Sequence, residues 1–72
     1  MPQTLAQLDV VALLTDVPDR GLVRGQVGTI VECLAADAFE VEFSDDQGRA
    51  YALVPLSSHC LMRLHHQPVQ AA

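Results

Sequence analysis

The sequence predicts an all-β protein made of one small domain. Short runs of β-branched and apolar residues recur along the chain, and glycine- and aspartate-containing segments separate them. One of these runs alternates strictly between apolar and acidic residues, which is typical of a half-buried strand. With 72 residues the chain is long enough for a single domain. Half of its residues are hydrophobic, but only two Phe and one Tyr are aromatic, so the expected core is aliphatic.

The first predicted strand covers residues 9–14 and is apolar on both of its faces. Val11 and Leu13 share one face. The other face consists of Val10, Ala12 and Leu14. A strand that is apolar on both faces is either covered twice or forms a subunit contact, so we expect the second set to be an interaction surface. A helix over residues 5–14 is the alternative, but the adjacent valines disfavour it.

A long loop over residues 15–25 follows this strand. Pro18 fixes its own φ angle, and Gly21 and Gly25 are expected to adopt left-handed conformations. Long loops in compact domains are often functional, so this loop is a candidate binding surface. Its candidate polar contact residues are Asp16, Asp19, Arg20 and Arg24. The alternative role for these charges is ion pairing within the loop.

The second and third strands form the centre of the predicted sheet. The second covers residues 27–34, where Gly28 predicts a bulge or a sharp bend and Cys33 is expected to be a small buried residue. The third strand shows the clearest alternation in the chain. Its apolar residues are Phe39, Val41 and Phe43, and its acidic residues are Glu40 and Glu42.

Three more elements complete the predicted fold. A polar loop over residues 44–48 leads to a fourth strand over 49–54, which Pro55 is expected to end. One 3₁₀ turn over residues 57–60 then precedes a last strand over 61–64. Five short strands, a long first loop and a 3₁₀ turn before the last strand predict an SH3-like barrel.

The domain is predicted to span residues 8–64, with flexible termini at 1–7 and 65–72. Several segments within it resemble a small bacterial domain family without an assigned activity. The resemblance lies in LDVVALL, GLVRGQVGTIVE and FEVEF, which correspond to the family's L-D-x-V-A-L opening, G-L-x-x-G-x-x-G-T-V-V-E centre and V-E-F strand. The one departure is Ile30, where Val is commoner in the family. It implies an SH3-like barrel and no particular function.

The charge balance disfavours two classes of partner. The chain contains nine Asp and Glu residues, four Arg and no Lys, and its net charge is −5. Nucleic acids and anionic membranes both require basic surfaces, so neither is an expected partner. The sequence shows no signal peptide and no apolar run long enough for a membrane span, so we expect a cytoplasmic protein with Cys33 and Cys60 reduced.

No motif predicts catalysis, and no cofactor is implied. Glu40 and Glu42 share one strand face, but no nucleophile, base or phosphate-binding loop accompanies them. The residue types that bind zinc cluster only near the C-terminal end, as His59, Cys60, His65 and His66. Their spacing matches no standard zinc site.

We therefore expect a protein-interaction module that self-associates into a homo-oligomer, with an unidentified protein as a possible further partner. Self-association through apolar strand faces or an exposed strand edge would bury the aliphatic surface that so small a domain cannot hide. Two alternatives remain open. One is a regulatory, nucleic-acid-associated barrel similar to the KOW modules of transcription and ribosome factors. The other is a metal-binding module that uses His59, Cys60, His65 and His66.

Overall fold

The computed structural model describes residues 4–68 and shows five antiparallel strands in a single sheet. The strands are β1 (Val10–Leu13), β2 (Val27–Ala35), β3 (Ala38–Ser44), β4 (Ala50–Ser57) and β5 (Leu61–Arg63). Short 3₁₀ turns occupy Pro18–Arg20 in the first loop and Ser58–Cys60 before β5. The termini predicted to be flexible lie partly outside the described residues.

The strand order is β4-β3-β2-β1-β5, so the last strand pairs with the first. Both end strands supply side chains to one core, which requires the sheet to curl. The core consists of Val11, Leu13, Leu22, Ile30, Phe39, Val41, Phe43, Val54, Leu56 and Leu61. The predicted fold is confirmed: a small five-stranded SH3-like barrel with a long first loop and a 3₁₀ turn before the last strand.

The predicted inward and outward orientation of the β3 side chains is confirmed. Phe39, Val41 and Phe43 are buried, whereas Glu40 and Glu42 face outward and are half-buried. The predicted strand at residues 9–14 is also confirmed, as β1, and the helical alternative is wrong. Two β-branched valines begin this strand, and antiparallel pairing with β2 and β5 satisfies its backbone.

Two predictions from the sequence are wrong, one about the end of β4 and one about the burial of Cys33. Pro55 does not end β4 but lies within it, where it opposes Glu40. Strand β4 is an edge strand, and an edge tolerates a residue that cannot donate a hydrogen bond. Cys33 was expected to be buried but is exposed. Cys33 opposes the buried Phe39, but the β2–β3 register is irregular on both sides of Cys33, and residues 32–35 of β2 are all exposed.

Gly28 has a different role from the predicted bulge. The β2–β3 register is continuous from Gly28 to Ile30, and the irregularities lie later, between Ile30 and Glu32 and between Cys33 and Ala35. A Cβ atom at Gly28 would lie 2.7 Å from the Val41 Cγ1 atom and 2.9 Å from the Glu42 carbonyl oxygen. The glycine is therefore required for close approach between the two strands.

Candidate interaction surface

The outward side of β1 and β5 forms a continuous apolar surface. Val11 and Leu13 point into the core, so alternation directs the neighbouring β1 side chains outward. Directly opposed residues share a face, and Ala12 opposes both Met62 on β5 and Val27 on β2. We call this surface the β1–β5 face. It consists of Val10, Ala12, Leu14, Val27, Met62 and Leu64.

No residue of the β1–β5 face carries an ionisable side chain. Ala12, at its centre, is 6% exposed because its neighbours cover it. Leu14 and Val27 at the margin are 42% and 47% exposed, and Met62 is 46% exposed. The residues predicted from the first strand, Val10, Ala12 and Leu14, thus lie together on one surface. The β5 contribution was not predicted, although alternation within LMRL would have placed Met62 and Leu64 on one face.

The strand edges offer less for association than this face does. Strand β5 is only three residues long, so its free edge is short. Strand β4 has a longer free edge, but Pro55 lies within it and has no N–H group to donate. Short strands and prolines are the features by which natural sheets avoid edge-to-edge pairing.

The predicted loop residues lie in a well-ordered connection. Val17 and Leu22 exchange two backbone hydrogen bonds of 2.8 and 3.1 Å, and the Leu22 side chain is only 1% exposed. The Asp16 Oδ1 atom accepts a 2.8 Å hydrogen bond from the Arg24 backbone N–H. Gly21 and Gly25 have φ angles of 69° and 95°, so the predicted left-handed conformations are confirmed.

The four charged loop residues do not form the ion pairs considered as their alternative role. Asp19 and Arg20 lie on the exposed 3₁₀ turn, and Asp16 uses its carboxylate to hold the backbone of Arg24. In the described part of the chain, the observed ion pair is elsewhere and joins Arg63 Nε to Asp9 Oδ2 at 3.6 Å. The loop lies between β1 and β2 and therefore borders the β1–β5 face at Leu14.

A groove lies beside the β1–β5 face, where the chain approaches β1 and leaves β5. It is open to solvent and has a volume of about 450 Å³. Val10 and Leu64 belong to both surfaces, so the groove continues the apolar face. The full lining is Leu8, Asp9, Val10, Arg63, Leu64, His65, His66, Gln67 and Pro68. This groove was not predicted from the sequence.

Leu8, at the rim of the groove, has an unusual backbone conformation. Its φ angle is +76°, and among the residues that the structure describes no other non-glycine residue has a positive φ. It occupies the third position of a turn that the Asp9 N–H closes on the Ala6 carbonyl oxygen at 3.1 Å. Positive φ at this position normally selects Gly or Asn, and the conformation costs another residue roughly 1–2 kcal/mol. The Leu8 side chain is nevertheless 73% exposed.

The outward side of the neighbouring strands is acidic. Glu32 on β2 lies directly opposite Glu40 on β3, and Glu42 is two residues further along the same face. Like charges in direct opposition destabilise a strand pair slightly. These carboxylates face outward and are exposed or half-buried.

The histidines and cysteines do not converge within residues 4–68. His59 and Cys60 lie in the second 3₁₀ turn, and His65 and His66 follow β5 at the groove. In this part of the chain no three His, Cys, Asp or Glu side chains form a group that could hold a metal ion. Cys60 Sγ instead lies 3.9 Å from the Ser57 hydroxyl oxygen.

Comparison with protein families identifies the domain. The model of the family described as "Domain of unknown function (DUF4926)" matches residues 7–63. The chain belongs to the DUF4926 family. The match begins at the Leu8 turn and ends within β5, so the DUF4926 domain includes the whole barrel and most of the β1–β5 face. No curated protein and no solved structure gives a significant match. The described residues of this DUF4926 domain contain no helix that is long and apolar enough to cross a membrane.

Proposed function

We propose that this protein is a non-catalytic interaction module that self-associates through the β1–β5 face. The observation that carries the proposal is the row Met62–Ala12–Val27, which runs across three strands without a charge on the outward side of the sheet. Exposed apolar patches on small proteins commonly mark interaction sites. A second copy that covers Met62 and Val27 would remove their exposed apolar area from water.

The size of the domain supports the same proposal. A chain of 72 residues buries only about 60% of its unfolded surface, so its stability is marginal when it stands alone. Association stabilises the folded state by mass action, because only folded copies present the complete face. The short β5 edge and the proline in the β4 edge favour face-to-face contact over extension of the sheet.

Sedimentation velocity across about 1 to 200 µM protein tests self-association, because mass action makes the oligomer fraction rise with concentration. We expect the sedimentation coefficient to rise from that of a monomer to that of a dimer. Met62→Glu should weaken association by at least about tenfold, because it places a carboxylate where apolar surfaces meet.

Leu34→Glu is the matched control for this substitution. Leu34 is 45% exposed, close to the 46% of Met62, but lies near the β2–β3 hairpin, at the opposite end of β2 from Val27. This variant should associate like the wild type. A wild-type protein that remains monomeric throughout, or equal effects of both substitutions, would contradict the proposal.

A further inference from the structure

We propose that Leu8 anchors the self-association interface by packing into the groove of a second copy, against Leu64 and Pro68. This inference rests on the proposed function, because it names the contact that joins two β1–β5 faces. Its grounds are the backbone conformation of Leu8, the position of the groove, and the distribution of charge around both.

The conformation of Leu8 is imposed by its neighbours and is not offset by burial within the chain. The Leu8 N–H donates a 2.7 Å hydrogen bond to the Ile30 carbonyl oxygen, and Gln7 Nε2 donates to the Val31 carbonyl oxygen at 3.1 Å. These bonds fix the turn against β2 and direct a leucine toward solvent. Strained residues are characteristic of binding sites, where the strain is part of how the site is prepared. A leucine held at positive φ and 73% exposed is explained if a partner covers it.

Leu8 projects from the surface in which the groove forms a depression. The groove has a volume of about 450 Å³ and presents Val10, Leu64 and Pro68 as apolar walls. A two-fold interface uses the same patch on both subunits, so the patch must be complementary to itself. A projecting leucine next to a groove with an apolar part, formed by Val10, Leu64 and Pro68, meets this requirement, since each copy supplies one of each.

The charge distribution identifies a second copy as the occupant. The chain has a net charge of −5, and acidic residues cover the outward side of β2 and β3. At the groove, Asp9 is paired with Arg63, and the remaining ionisable lining residues are His65 and His66. Two acidic copies therefore meet with less repulsion through this side than through the carboxylates of β2 and β3. A basic partner would be attracted instead to the carboxylates of β2 and β3.

Leu8→Gly separates the role of this residue in binding from its role in the monomer. Glycine adopts positive φ readily, so the midpoint of urea unfolding at low protein concentration should stay the same or rise. The dissociation constant of the oligomer should increase by at least about tenfold, because the anchoring side chain is lost. Leu8→Asn should give the same pair of results, since Asn also tolerates the left-handed conformation. Leu34→Asn, which removes a leucine of similar type from the far hairpin, should leave association unchanged.

The outcomes separate this inference from the proposed function. If Met62→Glu weakens association but both Leu8 variants associate like the wild type, the anchor is overturned and the proposed function stands. If the wild type is monomeric at every concentration, both are overturned. If both Leu8 variants lower the stability of the monomer, the side chain supports the fold of its own chain, and the anchor is again overturned.

Discussion

At Gly28 the barrel leaves no room for a side chain. The residue opposes Val11 on one side and Phe43 on the other, and all three positions are buried. An added Cβ would approach the Val41 Cγ1 atom to 2.7 Å, the Glu42 carbonyl oxygen to 2.9 Å and the Phe43 ring to 3.0 Å. One of these atoms belongs to the backbone of β3 and cannot move without disturbing the ladder.

Gly28→Ala should therefore lower the free energy of unfolding by about 1–3 kcal/mol, the usual cost of overpacking a core. Urea denaturation monitored by circular dichroism measures the change. Gly48→Asn provides the control, because Gly48 has open space around it and a φ angle of 81° that Asn tolerates. Equal stability of Gly28→Ala and the wild type would show that β3 can yield at this point.

Individual residues differ in how far the sequence reveals their role. The left-handed glycines of the first loop were predicted correctly, because glycine in a polar segment commonly marks such a conformation. For Gly28 the sequence indicated a special position but not the lack of space there, which depends on the side chains of another strand. The conformation of Leu8 could not be predicted from the sequence, since positive φ contradicts the propensity of leucine and accompanies a hydrogen bond from the Leu8 N–H to Ile30 of β2.

Among the elements of the fold, the first loop combines exposed charges with an anchored backbone. Leu22 packs in the core, and the Val17–Leu22 hydrogen bonds close the loop upon itself. The Asp16–Arg24 hydrogen bond then joins the two ends of the loop across eight positions. The loop is therefore a structured border of the β1–β5 face.

Asp16→Ala should lower the free energy of unfolding by about 1 kcal/mol, because it removes a charge-assisted acceptor from a backbone N–H. Hydrogen exchange at the Arg24 amide should become faster in the same variant. Asp19→Ala is the comparison, since Asp19 lies on the exposed 3₁₀ turn of the same loop, and it should change stability by less than about 0.5 kcal/mol. Identical exchange at Arg24 in Asp16→Ala and the wild type would contradict this account of the loop.

At the scale of elements, the strands were predictable where burial on one face produced alternation. The residues Phe39 to Phe43 show this directly, because the core lies on one side and solvent on the other. The prediction failed where position in the sheet, rather than local sequence, decides the outcome. Pro55 is tolerated because β4 is an edge strand, and Cys33 is exposed in a part of β2 where the register with β3 is irregular. Neither outcome can be predicted from the local sequence, because both depend on how the strands pair in the sheet.

The whole molecule has an uneven distribution of charge. Its outward sheet surface includes the uncharged β1–β5 face and an acidic part that carries Glu32, Glu40 and Glu42. Three of the six residues of the uncharged face, Val10, Ala12 and Leu14, were predicted from the sequence, because they form a second apolar face on the first strand. The other three residues are Val27 on β2, Met62 on β5 and Leu64 just after β5, and only pairing between strands brings them beside β1.

The net charge of −5 predicts how salt affects self-association. Two copies repel each other at long range, and added salt screens this repulsion with a Debye length of about 10 Å at 0.1 M. The apolar contact itself is not weakened by salt. The dissociation constant should therefore fall as NaCl is raised from about 50 to about 500 mM, as sedimentation equilibrium would measure.

Glu42→Gln is an informative companion, because it removes one repelling charge close to Thr29 without changing the β1–β5 face. Its association should be tighter than that of the wild type at low salt and similar at high salt. A dissociation constant that rises with salt would indicate ion pairs between unlike surfaces of the two copies. Under the nucleic-acid alternative, the dissociation constant of the complex with nucleic acid would also rise with salt, because binding to phosphates weakens steeply as salt increases.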